Sequence, residues 1–155
     1  MTKFRRILFP TDFSENAATA REYACSLAEE NSAELHVLHV IDEADYFIPT
    51  MGEFVSPPSM DLNSLRDAAR KSLEQAIDPT WAKSNRVILE IRFGAPFLEI
   101  IRHAKERSID LIVISTHGRT GLSHLLMGSV AENVVRKAPC PVLTVHPTDH
   151  AFVMP

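Results

Sequence analysis

The chain has 155 residues, 45% of them hydrophobic and 23% charged, with a formal net charge of −4 at pH 7. That is the length of one domain, enough to bury a core and too short for two independent ones. Sixteen Lys plus Arg against twenty Asp plus Glu leave no basic excess to follow a phosphate backbone, and runs such as Leu111-Ile112-Val113-Ile114 fall far short of the ~20 apolar residues a bilayer span needs, so neither nucleic acid nor membrane insertion is expected.

Apolar runs alternate with amphipathic stretches along the chain, the pattern of an α/β protein. Met1-Thr2-Lys3-Phe4-Arg5-Arg6 lacks the long apolar stretch and cleavage site of a secretory leader, so a cytoplasmic location is expected. Ile7-Leu8-Phe9, ended by Pro10, reads as a first strand. A helix over 14–30 follows, with Ala17, Ala20, Tyr23, Ala24, Leu27 and Ala28 at helical spacing and either Asp12 or Ser14 as its cap. Residues 34–41 form the second strand. The connection 42–60, carrying Pro49, Gly52, Pro57 and Pro58, has the length of a lid, a binding loop or a disordered segment. The next helix spans 61–77, buries Leu62, Leu65, Ala69, Leu73 and Ala76, and stops at Asp78-Pro79.

The third strand covers 87–93, and Gly94-Ala95-Pro96 turns the chain into a helix over 97–107 that sets Leu98, Ile101 and Ala104 toward the sheet. Leu111-Ile112-Val113-Ile114 is continuously apolar, as expected for a central strand of a parallel sheet covered on both faces. A helix over 130–137 and a strand over 142–146, introduced by Pro139-Cys140-Pro141, complete the pattern. Right-handed crossovers place helices on both faces and gather the strand carboxyl ends on one rim, where such folds bind ligands.

Residues 115–129 lie at that rim between a buried strand and a helix start. Gly118, Gly121 and Gly128 with the hydroxyls of Ser115, Thr116, Thr120 and Ser129 suit phosphate binding, because glycine admits close backbone approach and helix-start amides favour an anion; the glycines also fit plain turn positions. Ser129-Val130-Ala131-Glu132 reads as a capping box, with or without a phosphate on the same hydroxyl. Arg119 could neutralise phosphate or simply be solvated. His117 and His124 could bond a phosphate or act in acid–base chemistry, or could be ordinary loop histidines. Asp12, after Pro10 and Thr11, could accept from a ligand base or cap the first helix, and Val40 near the end of the second strand could face a flat ring or be core.

Other chemistries find no support. The chain has no Walker A loop, no G-x-G-x-x-G after the first strand, no H-E-x-x-H and no nucleophile elbow. His36 and His39 are three apart on a strand, hence on opposite faces, and cannot share a metal. His146 and His150 read as part of a solvated tail. Cys25 and Cys140 show no ligand or CxxC spacing and are expected to be reduced and structural.

These residues resemble the universal stress protein family over nearly the whole chain: Ile7-Leu8-Phe9-Pro10-Thr11-Asp12-Phe13-Ser14, Leu38-His39-Val40-Ile41-Asp42, Gly94-Ala95-Pro96, Asp110 through Gly121, and Leu126-Met127-Gly128-Ser129-Val130 leading to Pro139-Cys140-Pro141-Val142. The resemblance implies an α/β fold, adenine nucleotide alpha hydrolase-like, in which an open five-stranded parallel sheet of order 3-2-1-4-5 carries two helices on each face. It implies one domain over 1–147 followed by a tail over 148–155. The family's ATP-binding members carry G-x2-G-x9-G-[ST], which this chain matches at Gly118, Gly128 and Ser129 and departs from at Ser115, whose Cβ would meet the ligand where glycine has none. The resemblance carries Pro10, Thr11, Asp12 and Val40 to an adenine pocket, and Gly118, Gly128, Ser129 and Val130 to the phosphates, with Ser115 beside them; His117 and Arg119 join the candidate site from the reading of the loop itself.

The implied ligand is ATP, whose phosphates could carry Mg²⁺ or Mn²⁺. The resemblance also implies a homodimer, and the chain supports this independently: the strand over 142–146 would be an exposed edge with few charges, and Ala151-Phe152-Val153-Met154-Pro155 is an apolar tail that a partner could cover. The leading expectation is a nucleotide-binding stress-response regulator with little or no hydrolysis, whose bound state alters the 43–60 segment or the dimer for a signalling partner. A dimeric interaction protein that binds no nucleotide, and a weak ATPase, are the alternatives.

Overall fold

The computed structural model describes residues 3–42, 48–50, 53–55, 61–117 and 127–146. Its centre is a five-stranded parallel sheet formed by β1 (Arg6–Pro10), β2 (Glu34–Ile41), β5 (Val87–Phe93), β6 (Leu111–Ser115) and β7 (Val142–Val145), in the order β5-β2-β1-β6-β7. Numbering these strands by themselves gives the expected 3-2-1-4-5 arrangement. β1, the middle strand, pairs with β2 through Ile7↔Leu35 and with β6 through Ile7↔Leu111.

The side-chain period of two separates two cores. Ile7, Phe9, Leu35, Val37, Leu111 and Val113 face α1 (Glu15–Asn31) and α2 (Leu62–Ala76). Leu8, Leu38, Ile112 and Ile114 face α4 (Pro96–Glu106) and α5 (Ser129–Lys137). In α1, Ala17, Ala20, Ala24 and Ala28 are all 4% exposed or less, and a ridge of side chains this small lets the helix lie close on the sheet. Ser32 ends α1 in the left-handed region at φ 53°, its N–H donating to the carbonyls of Ala28 and Glu29. No helix among the described residues is long and apolar enough to cross a membrane.

The structure corrects several local expectations. Tyr23 and Leu62 are exposed, the buried face of α2 being carried by Ala69 and Leu73. In α4 the expected stripe of Leu98, Ile101 and Ala104 is rotated: Leu98 is exposed, and Glu99, Ile100, His103 and Ala104 are buried. Polar partners make that rotation affordable. His103 Nε2 lies 3.0 Å from His36 Nδ1, and the Glu99 carboxylate meets the Arg92 and Arg102 guanidinium groups.

Asp78-Pro79 does more than stop a helix. The Asp78 carboxylate accepts from the amides of Thr80 (2.8 Å) and Trp81 (2.9 Å) and, with Pro79 at the first position, opens a short α3 (Pro79–Ser84). The 42–60 connection holds an antiparallel pair, β3 (Ile48–Thr50) and β4 (Glu53–Val55), where no strand was expected. The tail over 148–155, and the segments 43–47 and 56–60, lie outside the described residues.

Candidate functional site

The chain leaves β1 outward to β2 and β5 on one side and to β6 and β7 on the other, so the strand order reverses beside β1. A cavity of about 250 Å³ opens at that point, between the carboxyl ends of β1, β2 and β6 and the amino end of α5. Its volume is near the lower edge of the ~300–1,000 Å³ usual for small-molecule sites. Pro10, Thr11, Asp12, Val40, Ser115, His117, Gly128, Ser129 and Val130 all border it. Of the residues singled out in the sequence, Gly118, Arg119, Gly121 and His124 lie outside the described residues. A second recess of about 280 Å³, between α1 and α2, is lined by Phe9, Phe13, Arg21, Ser72 and Gln75 and by Ser14 and Ala17 at the start of α1.

The turn after β1 is fixed by its own side chains. The Thr11 amide donates to the Leu38 carbonyl at 2.9 Å, which docks the turn on β2. The Asp12 carboxylate accepts from the Ser14 amide at 3.0 Å and the Ser14 hydroxyl at 2.6 Å, and that hydroxyl in turn accepts from the Ala17 amide at 3.2 Å. Ser14 is therefore the cap of α1, and Asp12 holds the cap in place. Phe13 between them adopts φ 64°, which few non-glycine residues do, and its ring lies against His39 at 4.3 Å between centroids. His39 donates from Nδ1 to the Thr11 carbonyl at 2.8 Å and is buried. Its contribution to the turn is invisible in a sequence that shows it only as one position of β2.

At the opposite end of the cavity α5 starts one residue earlier than expected. The cap is Gly128 at φ −69° and ψ 154°, an extended conformation open to any residue, and among the described residues no side-chain hydrogen bond caps the helix. Ser129 is thus the first helical residue and the expected capping box is absent; among its contacts, the Ser129 carbonyl accepts from the Asn133 amide group at 2.9 Å. A helix start without a side-chain cap leaves first-turn amides oriented toward the cavity that Gly128, Ser129, Val130 and Ala131 border. The Gly128 amide donates to the Thr116 carbonyl at 2.6 Å and pins the helix start to the end of β6.

Ser115, standing where the resemblance has glycine, turns its hydroxyl onto its own loop: Oγ donates to the His117 carbonyl at 2.9 Å. Thr116 is 0% exposed, and its hydroxyl lies 2.9 Å from His117 Nδ1 and 3.1 Å from His146 Nδ1. His146, read from the sequence as part of a solvated tail, is joined to the rim through that hydroxyl. No local signal points to this pair, because the two residues are thirty apart and meet only when β7 pairs with β6.

Burial pushes the Cys25 thiol up to about 11 and raises Cys140 as well, so neither free thiol is an activated nucleophile. No group of three His, Cys, Asp or Glu among the described residues is placed to hold a metal ion.

A model described as the Universal stress protein family matches residues 3–146. Universal stress protein MJ0531 of Methanocaldococcus jannaschii is 34% identical over 143 residues, covering 92% of this chain and 82% of the relative. Among solved structures, that of protein MJ0577, also of Methanocaldococcus jannaschii, superposes with TM-score 0.79 at 29% identity, over 96% of this chain and all of that one. A universal stress protein from Archaeoglobus fulgidus in complex with dAMP superposes with TM-score 0.61 at 19% identity, over 93% of this chain and 98% of that one.

Proposed function

Because the chain belongs to the universal stress protein family, we propose that it is an adenine-nucleotide-binding regulator of a stress response, with ATP as its ligand. The base sits between Asp12 and Val40 beside Pro10 and Thr11, and the phosphates lie over Gly128, Ser129 and Val130 at the start of α5. The observation that carries this reading is the amino end of α5, which has no side-chain cap among the described residues and faces a cavity whose other wall is the turn carrying Asp12. An uncapped helix start supplies amide donors and a partial positive charge to an anion. Ser115 supports the reading as well, since its hydroxyl is committed to the His117 carbonyl. The dAMP complex at 19% identity speaks for the capacity of the fold alone.

A divalent ion, Mg²⁺ or Mn²⁺, would be carried on the phosphates. Gly118 and Arg119 belong to the same proposal through the motif, and any hydrolysis is slow. The protein acts in the cytoplasm as a homodimer joined along the β7 edge, where Leu143 and, on the neighbouring α5, Val135 are exposed apolar side chains that a second copy would cover. Nucleotide occupancy alters the 43–60 segment or the dimer for a signalling partner. Isothermal titration with ATP, ADP and AMP tests the central point. Saturable binding of one nucleotide per chain is expected, and absence of binding of all three up to millimolar concentration refutes it. Sedimentation should give twice the 17.3 kDa chain mass, and a monomer at micromolar concentration would remove the dimer.

A further inference from the structure

Of the four side chains that α4 buries, two are ionisable, Glu99 and His103, whereas every buried side chain of α1, α2 and α5 is apolar. Glu99 faces two guanidinium groups, those of Arg92 and Arg102. His103 faces a second imidazole instead, His36 of β2, at 3.0 Å. Because His36 Nε2 donates to the Glu34 carboxylate at 2.9 Å, its Nδ1 is an acceptor and His103 Nε2 is the donor to it. His103 Nδ1 is then a bare lone pair, and among the described residues it is the buried side-chain polar atom with no hydrogen-bond partner.

Such a pair has no place for an added proton. If His103 takes it, Nδ1 gains a hydrogen that meets no acceptor. If His36 takes it at Nδ1, His103 Nε2 must become the acceptor, and the His103 hydrogen moves to the same orphaned Nδ1. Either way an added positive charge and an unmet donor are buried together, at a greater cost than the neutral pair carries. Helix α4 escapes that cost by leaving the sheet, since both rings then reach water. Its own hold is modest: Ile100 and Ala104 are its fully buried apolar side chains, and Ala95 begins it without a side-chain cap. Ile100 lies one turn from His103 on the same face and, with Pro96, lines the cavity at the rim. We infer that α4 is an acid-released wall of the nucleotide site: a proton on the His36–His103 pair frees the helix from the sheet and withdraws Pro96 and Ile100 from the cavity. This deepens the nucleotide reading and rests on it for the identity of the ligand.

The charges around the pair come from every neighbouring element. His36 faces Glu34 on its own strand, Arg6 of β1 and Arg107 after α4, and His103 faces Arg92 of β5 with Glu106 and Arg107 at the end of α4. Glu90 of β5 pairs with Arg107 at 3.5 Å, and Arg92 holds Glu106 at 2.6 Å. On α5, Glu132 pairs with Arg136, and Lys137 lies over the Phe97 ring. The bond to Arg92 pulls the Glu106 carboxyl below its usual range, and arginine stays charged throughout. Carboxylates in general titrate near pH 4, so between pH 7 and pH 5 the histidines are the groups that respond. Burial lowers both rings, His103 from 6.5 to about 4.

Native-state hydrogen exchange on the full chain at pH 7 and pH 5 tests this, each rate corrected for the intrinsic exchange that acid slows. The freed helix takes the proton at 6.5 and the docked helix at about 4, so the opening equilibrium of α4 should rise about twentyfold between the two conditions. At pH 5 the α4 amides should exchange faster than the α1 amides by about tenfold or more. His103→Gln should cut the α4 rise to about fivefold or less. Equal opening of α4 and α1 at pH 5 would mean that the helix leaves only with the whole fold and would overturn the inference, a comparison that needs no variant. A rise in His103→Gln as large as in wild type would overturn it too. ATP at about 100 times its calorimetric dissociation constant should slow α4 exchange at pH 5 by more than about tenfold, because the opened site releases it. If ATP binds and leaves α4 exchange unchanged, α4 is no wall of the site, and the inference falls while the nucleotide reading stands. If ATP does not bind, the nucleotide reading falls and takes the wall of a nucleotide site with it, whereas the acid release of α4 is judged on the ligand-free exchange.

Discussion

His103→Gln should flatten the pH dependence of stability. His103 is 0% exposed, and Nε2 donates to His36 Nδ1, since His36 Nε2 is committed to the Glu34 carboxylate at 2.9 Å. Burial, reinforced by the charge of Arg92, lowers the His103 pKa from 6.5 to about 4. Between those values the unfolded chain binds a proton that the folded chain refuses. Stability is therefore full above the unfolded value, declines as the pH drops through 6.5, and levels off below about 4. At about 1.4 kcal/mol per pKa unit, the loss accumulated from pH 7.5 to pH 5 is about 2 kcal/mol. His36, whose pKa burial also lowers, adds a loss of the same sign. With a urea slope of ~1–3 kcal/mol per molar, the wild-type midpoint should fall by roughly 1 M over that range. Glutamine offers an amide donor near the position of Nε2 but cannot take up the proton, so the variant should lose half as much or less. A wild-type midpoint that does not move, or a glutamine variant that loses as much as wild type, would refute the reasoning.

Three further outcomes are expected. Gly128→Asp supplies the missing cap of α5 and should hold stability within about 0.5 kcal/mol by urea unfolding, while weakening ATP binding more than about tenfold by calorimetry because a carboxylate takes the place of phosphate at the helix start. Gly94→Ala should cost about 1–3 kcal/mol, read as a drop of several degrees in Tm, because Gly94 sits at φ +134° and the added Cβ would meet Glu99 Cγ at 3.4 Å. Ser115→Gly removes the bond from Oγ to the His117 carbonyl and should cost about 1 kcal/mol with ATP affinity changed less than about threefold; a gain beyond tenfold would mean that the serine obstructs the ligand.

Much of this protein is legible along the chain because its main sheet is built from local signals. The apolar runs Ile7-Leu8-Phe9 and Leu111-Ile112-Val113-Ile114 identify strands, and the alanine spacing of α1 identifies the buried face without reference to anything distant. The rim residues were legible for the same reason, since Pro10 ends a strand with Thr11 and Asp12 after it, and Gly128 and Ser129 open a helix. Local pattern also located α2's stop signal at Asp78-Pro79, without showing that the same pair starts α3.

Tertiary structure decided what depends on partners far apart in the chain. The face of α4 was set by a histidine sixty-seven residues away, because a buried imidazole is acceptable only where another polar group meets it. The choice of Gly128 over Ser129 as cap followed from the Thr116 carbonyl claiming the Gly128 amide. The meeting of His117 and His146 on one hydroxyl required β7 to lie beside β6. Hydrophobic periodicity reports which way a side chain faces; it carries no information on which distant polar group waits there, and that pairing is what distinguishes a site from a surface.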